Sequence, residues 1–397
     1  MTTDTSTHDL ALLGGRRIDW IRSRMPLLAG IRAEFRESMP FLGHRIGMSL
    51  HLEPKTAVLL ETLQAGGAEI VATGNHGSTQ DDIVAFLRSG GMTVFGTRDD
   101  AIEQHRANLA AVLDAGPDIL LDNGADLAAG VVERGSSSHI IGGTEETTSG
   151  GIRLRGELAG RTGFPSIVIN DSMLKAIGEN RHGVGQSIVE SFMRITNVMI
   201  PGHHFVVVGY GWCGRGIAQY LRALGGQVAI AEVDVLKAFE AALDGYRVAE
   251  LDELAGWADV VITATGRPDV VAAGAFDRMR SGTILANSGH FPWEIDTASL
   301  RAQAVSAEIL DDSLERIELA DGRHLILIAD GRMFNLAGRN PKGNSLEAMD
   351  LGFLLQALSL ERVARADGSL APGAIPVPDD INRRAATRFL TALDAAR

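Results

Sequence analysis

The chain has 397 residues, more than one ordinary hydrophobic core accommodates, so its length predicts two domains. A formal charge of −13 argues against nucleic acid and anionic membrane surfaces as partners, because both recruit basic patches. The sequence contains no run of about 18 consecutive apolar residues, so no membrane span is predicted. The acidic charge favours a small-molecule enzyme. Cys213 is the only cysteine, which excludes an intrachain disulfide and favours a reducing cytoplasm as the compartment.

From Arg45 onward, short apolar runs alternate with helical patterns. The predicted strands are RIGMSLHL (45–52), AEIVATG (68–74), MTVFGT (92–97), PDILLD (117–122) and FPSIVIND (164–171). Helical periodicity fills the gaps, as in KTAVLLETLQAGG (55–67) and the segments 78–91 and 99–116. This βαβ rhythm predicts a parallel sheet covered by helices.

A long helical pattern at 176–199 leads into Pro201 and Gly202 and joins this set to a second one. The second set contains VVVGYG (206–211), QVAIAE (227–232), DVVITATG (259–266) and TILANSG (283–289). The segment 316–332 carries the Asp-Gly turn signals of hairpins. A last apolar helix at 347–364 is expected to pack back on the first domain.

The segment FVVVGYGWCGRGIAQYL (205–221) has the form of a dinucleotide-binding turn. Its apolar run opens into Gly209, Gly211 and Gly214 and then into a helix, whose N-terminus favours a pyrophosphate; Cys213 lies inside the turn. Glu232 ends the next apolar run, where a carboxylate would accept from a ribose 2′-hydroxyl and disfavour a 2′-phosphate. NAD is therefore the predicted cofactor, and a glycine-rich turn of some other α/β protein is the weaker alternative.

These patterns predict an α/β protein with two doubly wound parallel-sheet domains. Residues 1–178 are expected to bind the substrate, 179–337 to form a Rossmann NAD-binding domain, and 338–397 to return to the substrate domain as a helical segment. No His, Cys and carboxylate cluster has ligand spacing, so no metal site is predicted.

Around the glycine turn, a series of motifs occurs in a characteristic order. The series runs TAVLLETL, STQDD, GGTEETTSGG, INDSMLK, GYGWCGRG, EVD, NSGHF, EID and ADGRMFNLA. In this order and spacing the chain resembles the S-adenosyl-L-homocysteine hydrolase family from about residue 25 to 390. The motifs GYGWCGRG and NRHGVGQS are similar in sequence to those of the shorter archaeal and thermophilic branch of that family.

The resemblance implies an NAD that stays bound and is recycled within one turnover. In that family the substrate 3′-hydroxyl is oxidised to a ketone, the C4′ proton is lost, the 5′ thiol is eliminated, water adds, and the hydride returns. Oxidation at C3′ makes the elimination feasible, because a β-leaving group beside a ketone departs readily once a base removes the α-proton. A nucleoside-type substrate and a homo-oligomer, a dimer or tetramer, are implied as well.

The resemblance also implies roles for individual residues. Lys175 would help to remove the 3′-hydroxyl proton, Glu146 would grip the ribose hydroxyls, and His51 and His290 would lie near the 5′ carbon and the 3′ oxygen. The remaining matches are assigned to the cofactor: Thr147, Thr148, Ser149, Asn180, Thr265, Asn287 and Asn335.

Departures from the family pattern are concentrated at the elimination site and the base pocket. Asn123 replaces an aspartate, and an amide cannot take a proton as a base does. Glu179 stands where the family has a shorter acid. Glu53 and Lys55 replace base-contacting residues, and Asn344 belongs to a GNS turn where the family has GHP.

Three functions are compatible with this pattern. The first is hydrolysis of S-adenosylhomocysteine or a related 5′-substituted nucleoside. The second is the same 3′-oxidation applied by a divergent paralogue to another nucleoside in specialised metabolism. The third is an inactive NAD-binding regulator, against which the retained Lys175, Glu146, His51 and His290 argue.

Overall fold

The structure, a computed structural model, describes residues 6–395 apart from 136, 339 and 367. The chain divides into two compact units. The first comprises Met1–Lys175 and Leu346–Arg397, and the second comprises Ala176–Ser345. Segment 338–345 stays with the second unit, where Asn344 bonds to Ser187 and Asn335.

The strands are β1 (Arg45–Ser49), β2 (Glu69–Thr73), β3 (Thr93–Phe95), β4 (Ile119–Asp122), β5 (Gly142–Glu145), β6 (Pro165–Val168), β7 (His204–Val208), β8 (Gln227–Ala231), β9 (Arg247–Val248), β10 (Val260–Thr263), β11 (Ile284–Asn287), β12 (Ala304–Asp311), β13 (Leu314–Leu319), β14 (His324–Ile328) and β15 (Gly373–Pro376). The α-helices are α1 (Thr7–Arg22), α2 (Pro26–Ser38), α3 (Pro54–Ala65), α4 (Asp81–Ser89), α5 (Ile102–Asp114), α6 (Asp126–Arg134), α7 (Thr148–Arg155), α8 (Gly185–Thr196), α9 (Trp212–Ala223), α10 (Val235–Leu243), α11 (Leu251–Leu254), α12 (Ala273–Phe276), α13 (Thr297–Ala302), α14 (Leu346–Ala364) and α15 (Asp379–Ala395). A π-helix spans Lys175–Val184, and short 3₁₀ turns span Ile169–Asp171, Ala329–Gly331 and Phe334–Leu336.

The first unit is a parallel sheet in the order β3-β2-β1-β4-β5-β6-β15, with every neighbouring pair parallel. The apolar runs of β1, β4 and β6 are buried, as strands covered on both faces require. The chain reverses direction across the sheet between β1 and β4, and at such a switch point the loops after the strands leave a crevice.

Helix α14 belongs to the core of the first unit, which confirms the predicted return of the C-terminal segment. Leu354, Leu355 and Leu358 are almost fully buried there. The buried Asp350 accepts hydrogen bonds from the backbone N–H groups of Leu27 and Leu28 at 2.8 and 2.9 Å, so α14 caps the N-terminus of α2.

The second unit is a Rossmann sheet with an antiparallel extension. The strands β9-β8-β7-β10-β11-β14 are parallel, and β14-β13-β12 continue as antiparallel strands. The hairpin predicted from the Asp-Gly signal is formed by β13 and β14, with Asp321 and Gly322 in its turn. The switch point lies between β7 and β10.

The predicted helix at 176–199 has two parts, the π-helix Lys175–Val184 and α8. The extra residue per turn of a π-helix changes the direction in which successive side chains point, and such segments are frequent at functional sites. This one carries Glu179 and Asn180, which are both buried. Within the described part of the chain, every helix is too short or too polar to cross a bilayer.

Candidate active site

The switch point of the first unit carries His51 and Asn123, because His51 lies two residues past β1 and Asn123 directly follows β4. The ring nitrogen Nδ1 of His51 lies 2.7 Å from the hydroxyl of Ser78, in the loop after β2. Thr56 donates its hydroxyl to the His51 carbonyl at 2.7 Å. The histidine is therefore held through both its side chain and its backbone.

Asn123 is held by the aspartate that precedes it. The Asp122 carboxylate is 3% exposed and accepts hydrogen bonds from the Asn123 N–H at 2.9 Å and from two N–H groups at the start of α6. Burial, together with the charge of Asp126, raises the pKa of Asp122 to about 6. The Asn123 Oδ1 is buried, and no described group donates to it, so this acceptor is suited to a substrate hydroxyl or a water molecule.

Glu145 links this loop to the next one. Its carboxylate accepts from the N–H groups of Gly124 and Ala125 at 3.0 and 2.9 Å, and from the N–H and hydroxyl of Thr147 at 2.7 and 2.6 Å. Burial and the neighbouring Asp122 charge raise the pKa of Glu145 to about 8. Glu145 thus fixes the positions of Asn123 and Glu146, which flank the residues that it binds.

Glu146 and Lys175 form a buried ion pair. The distance from Lys175 Nζ to Glu146 Oε1 is 3.3 Å, and both side chains are 6% exposed. Gln356 of α14 donates its amide to Glu146 Oε2. The two predicted residues are therefore in contact, and Gln356, which lies 210 positions from Glu146 in the sequence, is the third member of the cluster.

The hydroxyl residues after Glu146 begin α7. Thr147 is its N-cap and accepts from the Gly150 N–H at 3.0 Å and from the Ser149 hydroxyl at 3.1 Å. Thr148 is exposed and Ser149 is half-buried. The Thr147 hydroxyl is used within the protein, and a cofactor contact by these three residues stays a prediction.

Glu53 and Lys55 also form a buried ion pair at the start of α3, with Oε2 and Nζ 3.0 Å apart and side chains 8% and 5% exposed. The two charges act as one unit, because each offsets part of the desolvation of the other. Side by side they present one hydrogen-bond acceptor and one donor.

In the second unit, the glycine turn has the geometry of a pyrophosphate cradle. Gly209 has φ +98°, and a Cβ atom on Gly214 would lie 2.0 Å from the Gly209 carbonyl oxygen, so helix α9 approaches the turn more closely than any side chain permits. Gly211 is the N-cap of α9 and has open space around it. Cys213 is half-buried in the first turn of α9.

Glu232 lies directly after β8, beside the glycine turn. Its carboxylate accepts from the Tyr210 N–H at 2.7 Å and from the Asp234 N–H at 2.8 Å. The carboxylate therefore lies at the position where a Rossmann domain accepts hydrogen bonds from the ribose of a dinucleotide. The glycine cradle and this carboxylate fit NAD.

The loops after β10 and β11 are held by two buried polar side chains. Glu294, which is 0% exposed, accepts from the N–H and hydroxyl of Thr265, both at 2.8 Å. Asn287, which is also 0% exposed, donates to the carbonyls of Phe291 and Gly331 and accepts from the Gly289 N–H. Asn287 thereby holds the loop that carries His290, and its own contact with the cofactor stays a prediction.

His290 is half-buried and packs edge-on against Phe291, with ring centroids 4.6 Å apart. Burial lowers its pKa to about 4. The imidazole is therefore neutral at neutral pH and carries both a donor and an acceptor nitrogen.

A cluster of amides and one acid connects the π-helix with the end of the second unit. Asn344 donates to Glu179 Oε1 at 3.4 Å and accepts from the Ser187 hydroxyl at 2.9 Å and from Asn335 at 3.4 Å. Asn335 also donates to Ser187 at 3.1 Å, and its Oδ1 is buried with no donor among the described groups. An open amide acceptor of this kind suits the carboxamide of a nicotinamide. The predicted Asn344 thus joins predicted catalytic and cofactor residues, while Asn180 lies next to Glu179 on the π-helix.

Several residues of these clusters were not singled out by their sequence patterns. They are Ser78, Asp122, Glu145, Ser187, Glu294 and Gln356. Asp122 had a usable signal, since it is an acid that ends a predicted apolar strand beside a selected residue, whereas the strand that Glu145 ends has no apolar pattern. Among the described residues, no group of three or more His, Cys, Asp and Glu could hold a metal ion.

Known proteins match both parts of the chain. The family model of the S-adenosyl-L-homocysteine hydrolase NAD binding domain matches residues 180–340, and that of S-adenosyl-L-homocysteine hydrolase matches residues 4–139. The S-inosyl-L-homocysteine hydrolase of Methanopyrus kandleri is 43% identical over 97% of this chain and 91% of its own length.

Two further relatives are similarly close. The adenosylhomocysteinase of Thermococcus kodakarensis is 42% identical over 99% of this chain and 94% of its own length. The S-inosyl-L-homocysteine hydrolase of Methanothermobacter thermautotrophicus is 42% identical over 97% of this chain and 93% of its own length. The chain therefore belongs to the S-adenosyl-L-homocysteine hydrolase family and is an enzyme that uses NAD.

Proposed function

We propose that this enzyme cleaves the 5′ thioether of an S-nucleosyl-L-homocysteine whose base is a purine, by transient oxidation at C3′, elimination of the thiol and addition of water. The observation that carries the proposal is the buried Lys175–Glu146 pair with Gln356 behind it. Removing two charges from water is costly, and vicinal ribose hydroxyls would supply the hydrogen bonds that offset this cost.

At the ribose, the Glu146 carboxylate accepts a hydrogen bond from a substrate hydroxyl. Lys175 first releases its ammonium proton to solvent and then, as the neutral amine, takes the 3′-hydroxyl proton. When bound, NAD supplies a reversible acceptor for the C3′ hydride. His290, neutral at neutral pH, offers a ring nitrogen to the 3′ oxygen. In the second unit, the glycine cradle, Glu232 and Asn335 would hold the cofactor, with Thr265, Asn287 and Asn180 as further predicted contacts.

At the 5′ carbon, His51 moves the proton that the departing thiol takes up and that the incoming water gives up. Asn123 cannot share this task, because an amide does not titrate. Its open Oδ1 accepts a hydrogen bond from the water instead and orients it. Glu179, bonded to Asn344, provides a carboxylate for proton transfer in the second unit.

For the base, the Glu53–Lys55 pair offers an acceptor beside a donor. Adenine carries an acceptor at N1 beside a donor at N6, and hypoxanthine carries a donor at N1 beside an acceptor at O6. Either edge complements the pair in one of its two orientations. This agrees with relatives of nearly equal identity that are named for adenosyl and for inosyl substrates.

The test is thiol release from S-adenosyl- and S-inosyl-L-homocysteine by NAD-loaded protein. Release from at least one of them is expected, and the ratio of the two kcat/KM values identifies the base. Exchange of the C4′ proton with solvent deuterium without thiol release would favour a paralogue with another outcome. Absence of both NADH absorbance and exchange with either compound would contradict the proposal and favour an inactive NAD-binding regulator.

We also propose that the enzyme is a cytoplasmic homo-oligomer, a dimer or tetramer. Helix α10 presents an apolar face to solvent, with Val235, Leu236, Phe239 and Leu243 between 62% and 79% exposed. Contiguous apolar surface of this kind is typical of interfaces. Light scattering should give a multiple of the chain mass, and Phe239→Asp should lower it; a monomeric unmodified protein would contradict the proposal.

A further inference from the structure

The loop after β2 contains a serine whose hydroxyl lies within hydrogen-bond distance of both a carbonyl oxygen and a neighbouring histidine. Ser78 is 8% exposed, and its hydroxyl oxygen lies 2.7 Å from His51 Nδ1 and 3.0 Å from the carbonyl oxygen of Asn75. A serine hydroxyl has one proton to donate, and a carbonyl oxygen can only accept. The proton of Ser78 therefore points to Asn75, and the Ser78 oxygen accepts from His51.

We infer that Ser78 is a positioning residue that keeps the His51 proton on Nδ1, so that Nε2 is the nitrogen that exchanges a proton with the substrate. A neutral imidazole carries one N–H, and the partner of one nitrogen decides which nitrogen keeps it. When His51 becomes protonated, Nδ1 still donates to Ser78 and only Nε2 changes its state. That His51 exchanges a proton with substrate rests on the proposed function; the tautomer itself does not.

The backbone around Ser78 is built to hold this geometry. The Ser78 N–H donates to the Asn75 carbonyl at 3.2 Å and closes a tight turn. Gly77, at the third position of that turn, has φ +73°, which residues with a Cβ atom rarely adopt. The Asn75 carbonyl therefore accepts both the N–H and the hydroxyl of Ser78, and these two bonds hold the Ser78 oxygen beside His51.

The tautomer can be measured without any turnover. In protein labelled with ¹⁵N-histidine, the His51 signals are assigned by their loss in His51→Asn. We expect a protonated Nδ1 in the unmodified protein, and a substantial fraction protonated at Nε2 in Ser78→Ala. An unmodified protein with its proton on Nε2 would overturn the inference, whatever the enzyme proves to catalyse.

Kinetics then test the consequence for catalysis with S-adenosyl- or S-inosyl-L-homocysteine. In Ser78→Ala, kcat for thiol release should fall roughly tenfold with KM within about twofold, because proton transfer at the 5′ side is affected and binding is not. Exchange of the C4′ proton should persist, since it precedes that step. Ser78→Thr, which keeps the hydroxyl, should restore most of the rate.

Thr62→Val is the matched control, because it removes another buried hydroxyl-to-carbonyl bond of the first unit, from Thr62 to Val58. It should leave both rates unchanged. Equal losses of exchange and thiol release in Ser78→Ala would indicate a merely structural serine and overturn the catalytic part of the inference. If the unmodified protein turns over neither compound but has the Nδ1 tautomer, the proposed function fails and the positioning by Ser78 stands.

Discussion

In the first unit the loops after the strands carry the buried ion pairs Glu146–Lys175 and Glu53–Lys55. In the second unit the turn after β7 carries glycines, and the loops after β10 and β11 are held by the buried Glu294 and Asn287. The strand order from β3 to β6 in the first unit is repeated from β9 to β14 in the second, so the two crevices arise in the same way. The difference therefore lies in the side chains that each sheet presents at its crevice.

We propose that the buried Lys175–Glu146 pair of the first crevice serves proton transfer and that the glycine turn of the second serves cofactor binding. Four titratable groups of the first crevice are almost fully buried: Lys175, Glu146, Asp122 and Glu145. Burial raises the pKa of Asp122 to about 6 and that of Glu145 to about 8. Gly209 and Gly214 contribute no side chain and instead let backbone N–H groups approach an anion. Substitutions in the two crevices should consequently fail in different ways.

The largest effect is expected for Lys175→Met. Thiol release should fall roughly 1,000-fold, and the free energy of unfolding should drop by about 3 kcal/mol, because the Glu146 carboxylate loses its ion-pair partner. Lys175→Arg is the control, since it keeps the charge but cannot give up a proton. It should restore the stability and not the rate; an active Lys175→Arg enzyme would contradict the proposed proton transfer.

In the second crevice, Gly214→Ala should weaken NAD binding about 100-fold and lower Tm, because its Cβ would meet the Gly209 carbonyl oxygen. Gly211→Ala has open space around its Cβ, so it should keep the Tm and weaken only NAD binding. Calorimetric titration and thermal unfolding measure both quantities. Equal Tm losses in the two variants would show that close packing at Gly214 is not what distinguishes these positions.

The buried acids of the first unit should make stability depend on pH. The pKa values of Asp122 and Glu145, about 6 and about 8, lie above those of the same groups in an unfolded chain. At pH values between the unfolded and the folded pKa, the folded protein therefore binds more protons than the unfolded chain. The free energy of unfolding should therefore fall as pH rises from about 4 to about 8, the interval between the unfolded and the folded pKa values. Denaturant unfolding across this range measures it.

Glu145→Gln should flatten that dependence, because an amide does not titrate. The exposed Glu157 of the loop after α7 serves as the control, since Glu157→Gln removes a carboxylate that is 61% exposed and should leave the slope unchanged. A slope that persists in Glu145→Gln would assign the titration to other groups.

The smallest effect is expected for Glu232→Gln. NAD affinity should fall about tenfold, and the preference for NAD over NADP should narrow, because the amide no longer repels a 2′-phosphate. Asp234→Asn removes a neighbouring carboxylate that caps α10 and should leave the NAD affinity unchanged. Fluorescence titration with both cofactors checks this, and an unaltered NAD to NADP ratio would contradict the assigned role of Glu232.

The elements that could be predicted are those whose residues repeat with a clear period. Apolar runs such as 205–208 and the glycines that follow them specify a buried strand and a turn within a few neighbours of each other. The two α/β domains, the cofactor NAD and the family are accordingly confirmed. Strand β5, Gly142–Glu145, has no apolar side chain to mark it and lies outside the predicted strands.

The individual site residues were selected through motifs, and the structure adds the partners that motifs do not contain. Glu146 and Lys175 are brought together as a pair, and Asn344 joins Glu179 and Asn335. Their roles in binding and catalysis remain predictions for the experiments above.

The sequence by itself determined the class of protein, the Rossmann turn and the cofactor, because these depend on residue spacing within short segments. Only the tertiary structure decided that Gln356 bonds Glu146, that Glu145 links two loops, and that Ser78 lies against Nδ1 of His51. These contacts join different strands and helices, and local periodicity carries no information about which loops a folded sheet brings together.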